Sequence, residues 1–131
     1  MLKLAKERDE VRVVDDEVLT PTFTEDIARQ IVSMSDVGEY GLYHVTAQKS
    51  CSWHKFASKI FELSRAKVKL SVADPAEFPL KVPRPKYSVL ENARLKSLNL
   101  DIMPHWEDGL RRYLEKSGAL TKWVQGVKTL D

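Results

Sequence analysis

The segment Lys81-Val82-Pro83-Arg84-Pro85-Lys86-Tyr87-Ser88 holds the side chains best suited to chemistry in this 131-residue chain. Lys81, Arg84 and Lys86 place three cations on a loop stiffened by prolines. Such a loop can meet the diphosphate of a nucleotide-sugar, because arginine offers a planar fork to phosphate oxygens. Prolines on both sides of Arg84 reduce the ordering entropy lost on binding. Tyr87 completes the candidate set of Lys81, Arg84, Lys86 and Tyr87. A solvated basic loop is the competing interpretation, and spacing alone leaves both open.

Other reactive types carry less. Asp15-Asp16-Glu17 offers adjacent carboxylates, but neighbouring strand residues point to opposite faces and rarely share one substrate atom. They are expected to form a solvated strand end. Cys51 and His54 have the spacing of half a zinc site, yet zinc takes four ligands and His44 and His105 show no partner spacing. A Cys–His nucleophile would also need an orienting group that the sequence does not identify. Cys51 is therefore expected to be a loop thiol beside a helix cap, and no metal is predicted. His44 is expected half-buried in a strand, and Trp53 and Trp106 as core anchors on apolar helix faces.

The positioning elements follow from periodicity. Met1–Arg8 is composed of helix formers but has no capping residue before it, as a truncated helix would look. Val11–Val14 reads as a short strand. Thr20-Pro21 enforces an extended turn, and Thr22 with Glu25 forms a capping-box pattern for a helix from Phe23 to Met34. That helix is expected to bury Ile27, Ala28, Ile31 and Val32. Residues 42–46 read as a strand. Ser50 or Ser52 caps a helix carrying Trp53, Phe56, Ala57, Ile60 and Phe61 inward. Residues 68–72 alternate as a strand with one solvated face. Prolines at 75, 79, 83 and 85 exclude regular structure over 74–85. A short helix covers 91–98. Pro104 opens another through Lys116, with Trp106, Leu110, Tyr113 and Leu114 inward and Gly118 as its stop. The result is an α/β domain of three short strands and four or five helices.

Composition supports an ordered domain, with 43% hydrophobic and 31% charged residues. No run approaches the ~20 apolar residues that span a bilayer, so no membrane partner is predicted. The single cysteine points to a reducing, cytoplasmic compartment. A net charge of +2 with interleaved signs argues against a nucleic-acid partner.

Several motifs, taken in order, carry a family resemblance. Val13-Val14-Asp15-Asp16-Glu17-Val18-Leu19-Thr20-Pro21-Thr22 resembles the V-V-D-D-Q-x-x-x-P-T segment of the dTDP-4-dehydrorhamnose reductases, which are extended short-chain dehydrogenase/reductases. Thr24–Ala28 is similar to the helix that follows it there. Gly41-Leu42-Tyr43-His44 resembles the family's G-x-Y-H, and Ser52-Trp53-His54-Lys55-Phe56-Ala57 its S/T-W-x-x-F/Y-A. Arg84-Pro85 with Ser88-Val89-Leu90 and the Asn92/Arg94/Leu95 helix resembles its late R-P-x-x-S-x-L region. Each motif is weak alone; five in one order are specific. Met103-Pro104-His105-Trp106 adds to the likeness, which extends to about Lys116.

The resemblance implies a C-terminal substrate-binding lobe, residues 1–118, with 119–131 as a tail and the N-terminal Rossmann half missing. It implies that the complete enzyme reduces dTDP-4-dehydro-6-deoxy-L-mannose to dTDP-L-rhamnose with NADPH or NADH, for cell-surface polysaccharide. Family chemistry uses a glycine-rich turn for the cofactor pyrophosphate and a Tyr-x-x-x-Lys pair for protonation. Neither is in this sequence: four residues after Tyr40, Tyr43, Tyr87 and Tyr113 stand His44, Ala47, Glu91 and Ser117. No catalytic or cofactor-binding residue carries over, and no cofactor is expected on this chain alone. Arg84 carries over as a contact to the nucleotide-diphosphate end of a dTDP-sugar. The alternative is a non-catalytic sugar-nucleotide-binding or regulatory module. Apolar surface on Ile27, Ile31, Val32 and residues 42–45, if left uncovered, predicts self-association.

Overall fold

The structure, a computed structural model, describes residues 1–77, 82 and 84–120. The elements run α1 (Leu2–Glu7), β1 (Glu10–Val13), β2 (Val18–Leu19), α2 (Thr24–Met34), β3 (Cys51–Ser52), α3 (Trp53–Ser64), β4 (Lys69–Val72), α4 (Ala93–Ser97) and α5 (Trp106–Lys116). β1 and β4 pair in parallel, Val11 opposite Leu70 and Val13 opposite Val72. β2 and β3 pair antiparallel, Val18 opposite Ser52 and Leu19 opposite Cys51. The architecture is α/β with five α-helices, as the periodicity predicts.

The core forms where α3 lies between the β1–β4 pair and α5. Val11 and Val13 of β1 meet Ala57, Ile60 and Phe61 of α3, and Trp106, Leu110 and Leu114 of α5 close the cluster. Each large side chain removed from water there contributes roughly 1.5–3 kcal/mol. Phe56 links the helices through edge-on contacts to Trp53 and Trp106, at 6.1 and 5.7 Å between ring centroids. Ser52 caps α3, accepting from the Lys55 amide at 3.1 Å. Gly118, in the left-handed region at φ 66°, follows the end of α5.

Several expectations are corrected. Residues 42–46 form no strand. Among the described residues no strand pairs with them; the Thr46 amide donates to the Asn92 side chain at 3.0 Å, and Leu42 is 79% exposed. Arg94 instead clasps this loop, donating to the Tyr40 carbonyl at 2.7 Å and lying 4.8 Å from the Tyr43 ring centroid. That clasp needs glycine at 41, where φ is 149° and a Cβ would collide with the Arg94 guanidinium. His44 is accordingly exposed rather than half-buried.

The inward face of α2 is polar. Asp26 and Gln30 are buried, whereas Ala28, Ile31 and Val32 are exposed. Arg112 of α5 meets Asp26, and the backbone at 100–102 meets Gln30; these partners fix the helix's rotation. Close packing requires Gly109 on α5, where a Cβ would lie 3.0 Å from the Phe23 Cβ. The capping box also fails to form, since α2 begins at Thr24 with Phe23 as its cap residue. Thr22 instead donates to the Thr20 carbonyl and accepts from the Ala47 amide, both at 3.1 Å, so it joins two loops.

In α5, Tyr113 is exposed while Trp106, Leu110 and Leu114 are buried. Val72 is likewise exposed at the end of β4, so the expected alternation holds only for Val68 and Leu70. Within the proline-rich region, Pro75–Glu77 forms a single 3₁₀ turn. The Asp74 carboxylate accepts from the Ala76 amide at 2.9 Å, and Glu77 accepts from the Asp74 amide at 3.0 Å. Reciprocal bonds of this kind order a turn that proline composition alone would leave irregular.

Candidate functional site

The β2–β3 register builds the site. With Val18 opposite Ser52, antiparallel geometry brings Glu17 across from Trp53, the first residue of α3. The Trp53 indole N–H donates to Glu17 Oε2 at 3.0 Å. The other edge of β2 takes the chain that leaves the proline-rich loop. The Val18 amide donates to the Lys86 carbonyl at 2.8 Å, and the Ser88 amide to the Val18 carbonyl at 3.0 Å. Tyr87 thereby bridges Val18 in parallel. A two-residue strand thus holds Glu17, Trp53 and the Arg84–Lys86 segment together.

These residues line a cleft of about 370 Å³ with β1 and α1, within the range of small-molecule pockets. Its floor includes Val11, Val13 and Trp53, and its charged groups are Arg12, Arg84, Lys86, Asp16 and Glu17. Arg12 is committed: it is paired with Glu77 and reaches the Val72 carbonyl. Among the described residues, Arg84 and Lys86 have no ion-pair partner and are exposed. Two uncommitted cations over an apolar floor are a donor set for an anion attached to a ring system.

Of the four sequence-predicted residues, Arg84 and Lys86 meet in the cleft. Tyr87 lies outside its lining and is 67% exposed. Lys81 falls outside the described residues. Glu17 is the residue that sequence reasoning placed with a solvated strand end. Asp15 and Asp16 are exposed as expected, but Glu17 is half-buried and bonded to Trp53. Trp53 is correspondingly part of the cleft as well as of the core. Only the pairing of β2 with β3 brings these two residues, 36 positions apart, together.

Cys51 lies on β3 and is buried, not on a loop. Burial pushes its thiol up to about 11, which opposes a nucleophilic role. Among the described residues no group of three or more His, Cys, Asp or Glu could hold a metal. A second cleft, about 240 Å³ between Phe23, Phe56, Trp106 and Tyr113, has no charged lining residue. A third, polar one is about 140 Å³, too small for a nucleotide-sugar.

An α/β substrate-binding lobe is the class this geometry defines, and comparison with known proteins gives the family. The family model described as RmlD substrate binding domain matches residues 1–118. The chain belongs to that family. It is 38% identical over 120 residues to the spore coat polysaccharide biosynthesis protein SpsK of Bacillus subtilis, covering 91% of this chain and 41% of that protein. Among solved structures, the dTDP-4-dehydrorhamnose reductase of Clostridium acetobutylicum superposes with a TM-score of 0.84 at 40% identity, over 88% of this chain and 41% of that one. The Bacillus anthracis dTDP-4-dehydrorhamnose reductase, solved in complex with NADP, gives 0.82 at 37% identity with the same coverage. The chain thus spans about two fifths of the length of the relatives it matches.

Among the described residues the glycine turn that cradles a dinucleotide pyrophosphate is not found. A pyrophosphate cradle needs a glycine turn leading from a strand into a helix N-terminus. None of α1–α5 starts on one: the residues preceding them are Met1, Phe23, Ser52, Asn92 and His105. No step is therefore derived through a nicotinamide. No helix among the described residues is long and apolar enough to cross a membrane.

Proposed function

We propose that residues 1–118 are the substrate-side lobe of a sugar-nucleotide reductase, with 119–131 as a tail. The complete protein reduces dTDP-4-dehydro-6-deoxy-L-mannose to dTDP-L-rhamnose with NADPH or NADH, in the cytoplasm, for cell-surface polysaccharide. This chain supplies ligand binding and none of the hydride chemistry. The observation that supports this most directly is the pair of uncommitted cations, Arg84 and Lys86, at one apolar cleft. Arg84 takes the diphosphate through its planar fork, Lys86 adds a second positive charge, and Trp53 offers an aromatic wall to the rings.

Isothermal titration with dTDP and dTDP-L-rhamnose tests the assignment. Arg84→Ala is expected to weaken both ligands about tenfold or more, the worth of a charge-assisted hydrogen bond. Equal affinity in the variant and the parent chain refutes the role of Arg84, and NADPH oxidation by this chain alone refutes the division of labour. Exposed Ile31 and Val32 on α2, and exposed Leu42, support self-association of the lobe when it is alone. Sedimentation of Ile31→Lys/Val32→Lys should then shift toward monomer; a parent chain that is already monomeric sinks that part.

A further inference from the structure

The Glu17–Trp53 pair does something that charge alone does not suggest. Indole N–H is a donor with no acceptor capacity, and here it donates to Glu17 Oε2 at 3.0 Å. That contact occupies one carboxylate oxygen. Among the described residues no donor reaches the other, Oε1, although Glu17 lines the cleft and is half-buried. An ionised carboxylate is acceptor-only. The cleft therefore presents a negatively charged acceptor held by Trp53 on the same lining as two cations, Arg84 and Lys86.

Resting on the nucleotide-sugar reading of this cleft, we infer that Glu17, oriented by Trp53, is its specificity-determining residue and selects a ligand group bearing an O–H or N–H donor. A phosphate is disfavoured at that position, because two anions repel each other. The diphosphate goes to Arg84 and Lys86, and a neutral donor on the same ligand goes to Glu17: a sugar hydroxyl or the imide N–H of the base. Trp53 fixes which oxygen is engaged and which is free. Were residue 17 glutamine, as in the V-V-D-D-Q pattern this segment resembles, the indole N–H would claim the amide oxygen and turn the NH₂ toward the ligand. The same position would then donate rather than accept. A glutamate-to-glutamine change here reverses the hydrogen-bond polarity of the cleft while keeping its shape.

The test is Glu17→Gln, titrated with dTDP and with dTDP-L-rhamnose beside the parent chain. The Trp53 indole ¹⁵N–¹H resonance reports whether the tryptophan bond persists, and far-UV circular dichroism whether the fold does. A site built around a charged acceptor loses roughly ten- to hundredfold when the acceptor is removed. A loss of that size confined to dTDP-L-rhamnose places the donor on the sugar; a loss shared by dTDP places it on the nucleoside. Either supports the inference. Unchanged or tighter binding of both ligands overturns it while leaving the Arg84 reading intact. If the parent chain binds neither ligand, the cleft assignment and this inference fall together. Should Glu17→Gln fail to fold, Glu17→Asp, which withdraws the carboxylate from the cleft but keeps its charge, must show the same selective loss or the inference is lost.

Discussion

Replacing Arg112 with methionine should unfasten α2 from α5. Arg112 Nη2 donates to both oxygens of Asp26, at 2.7 and 2.6 Å, and its Nε to Asp108 at 2.9 Å. The Asp26 side chain is only 4% exposed, so removing the cation leaves a carboxylate that water barely reaches. Breaking a buried pair from one side costs about 3–5 kcal/mol, whereas replacing both partners with apolar groups is close to neutral. The Arg112 side chain is 23% exposed, which places this pair at the lower end, about 3 kcal/mol. For a domain of this size that corresponds to a fall of roughly 10 °C in Tm. Urea denaturation followed by circular dichroism, on Arg112→Met, Asp26→Leu and the double variant, gives the coupling directly. The double variant should recover to within about 1 kcal/mol of the parent chain. A single Arg112→Met cost below about 1 kcal/mol, or additive effects in the double variant, would refute the account of α2 packing through its polar face.

Three further outcomes follow from the same reasoning. Gln30 is fully buried and satisfied, donating to the Leu100 carbonyl at 2.9 Å and accepting from the Ile102 amide at 3.0 Å. Gln30→Leu, despite its apolar gain, should cost about 2 kcal/mol in denaturant titration because two backbone groups lose partners. Cys51, protonated and buried, should resist thiol reagents at pH 8 until denaturant is added; fast labelling of the folded chain would contradict its burial. Glu25, through its bond to Lys116, and Glu10, through Ser71 and then Lys69, are held below the usual carboxylate range. A lowered folded-state pKa means their stabilisation is present at neutral pH and lost as pH falls through the folded value. Lys116→Met should therefore flatten the acid limb of a stability–pH curve, and high salt should shrink the difference because water reaches both half-buried carboxylates; an unchanged limb would discount the pair.

The helices were legible in the sequence because each carries a local signal. α3 shows Trp53, Phe56, Ala57, Ile60 and Phe61 at helical spacing behind a capping Ser52, and α5 ends before Gly118. The parallel strands were legible for the same reason, as short β-branched or alternating runs. The loop that carries Arg84 and Lys86 was marked by its prolines and cations, and the order of five motifs gave the family that the matches to residues 1–118 bear out. Local rules could not show which neighbour a segment would find. Residues 42–46 look like a strand but pair with none among the described residues, and Asn92 and Arg94 hold the loop they lie in. α2 looks apolar along Ile27, Ile31 and Val32, yet Arg112 and the backbone of Ile102, each more than 70 residues away, draw its polar side inward. Glu17 meets Trp53 only because a two-residue strand pair sets the register. Sequence alone determined the helices, the β1 and β4 strands and the chemistry available, because periodicity and turn residues act within a few positions. Tertiary structure alone decided which faces were buried and which Glu17 oxygen Trp53 engages, because burial and hydrogen-bond partnership are settled across the whole chain.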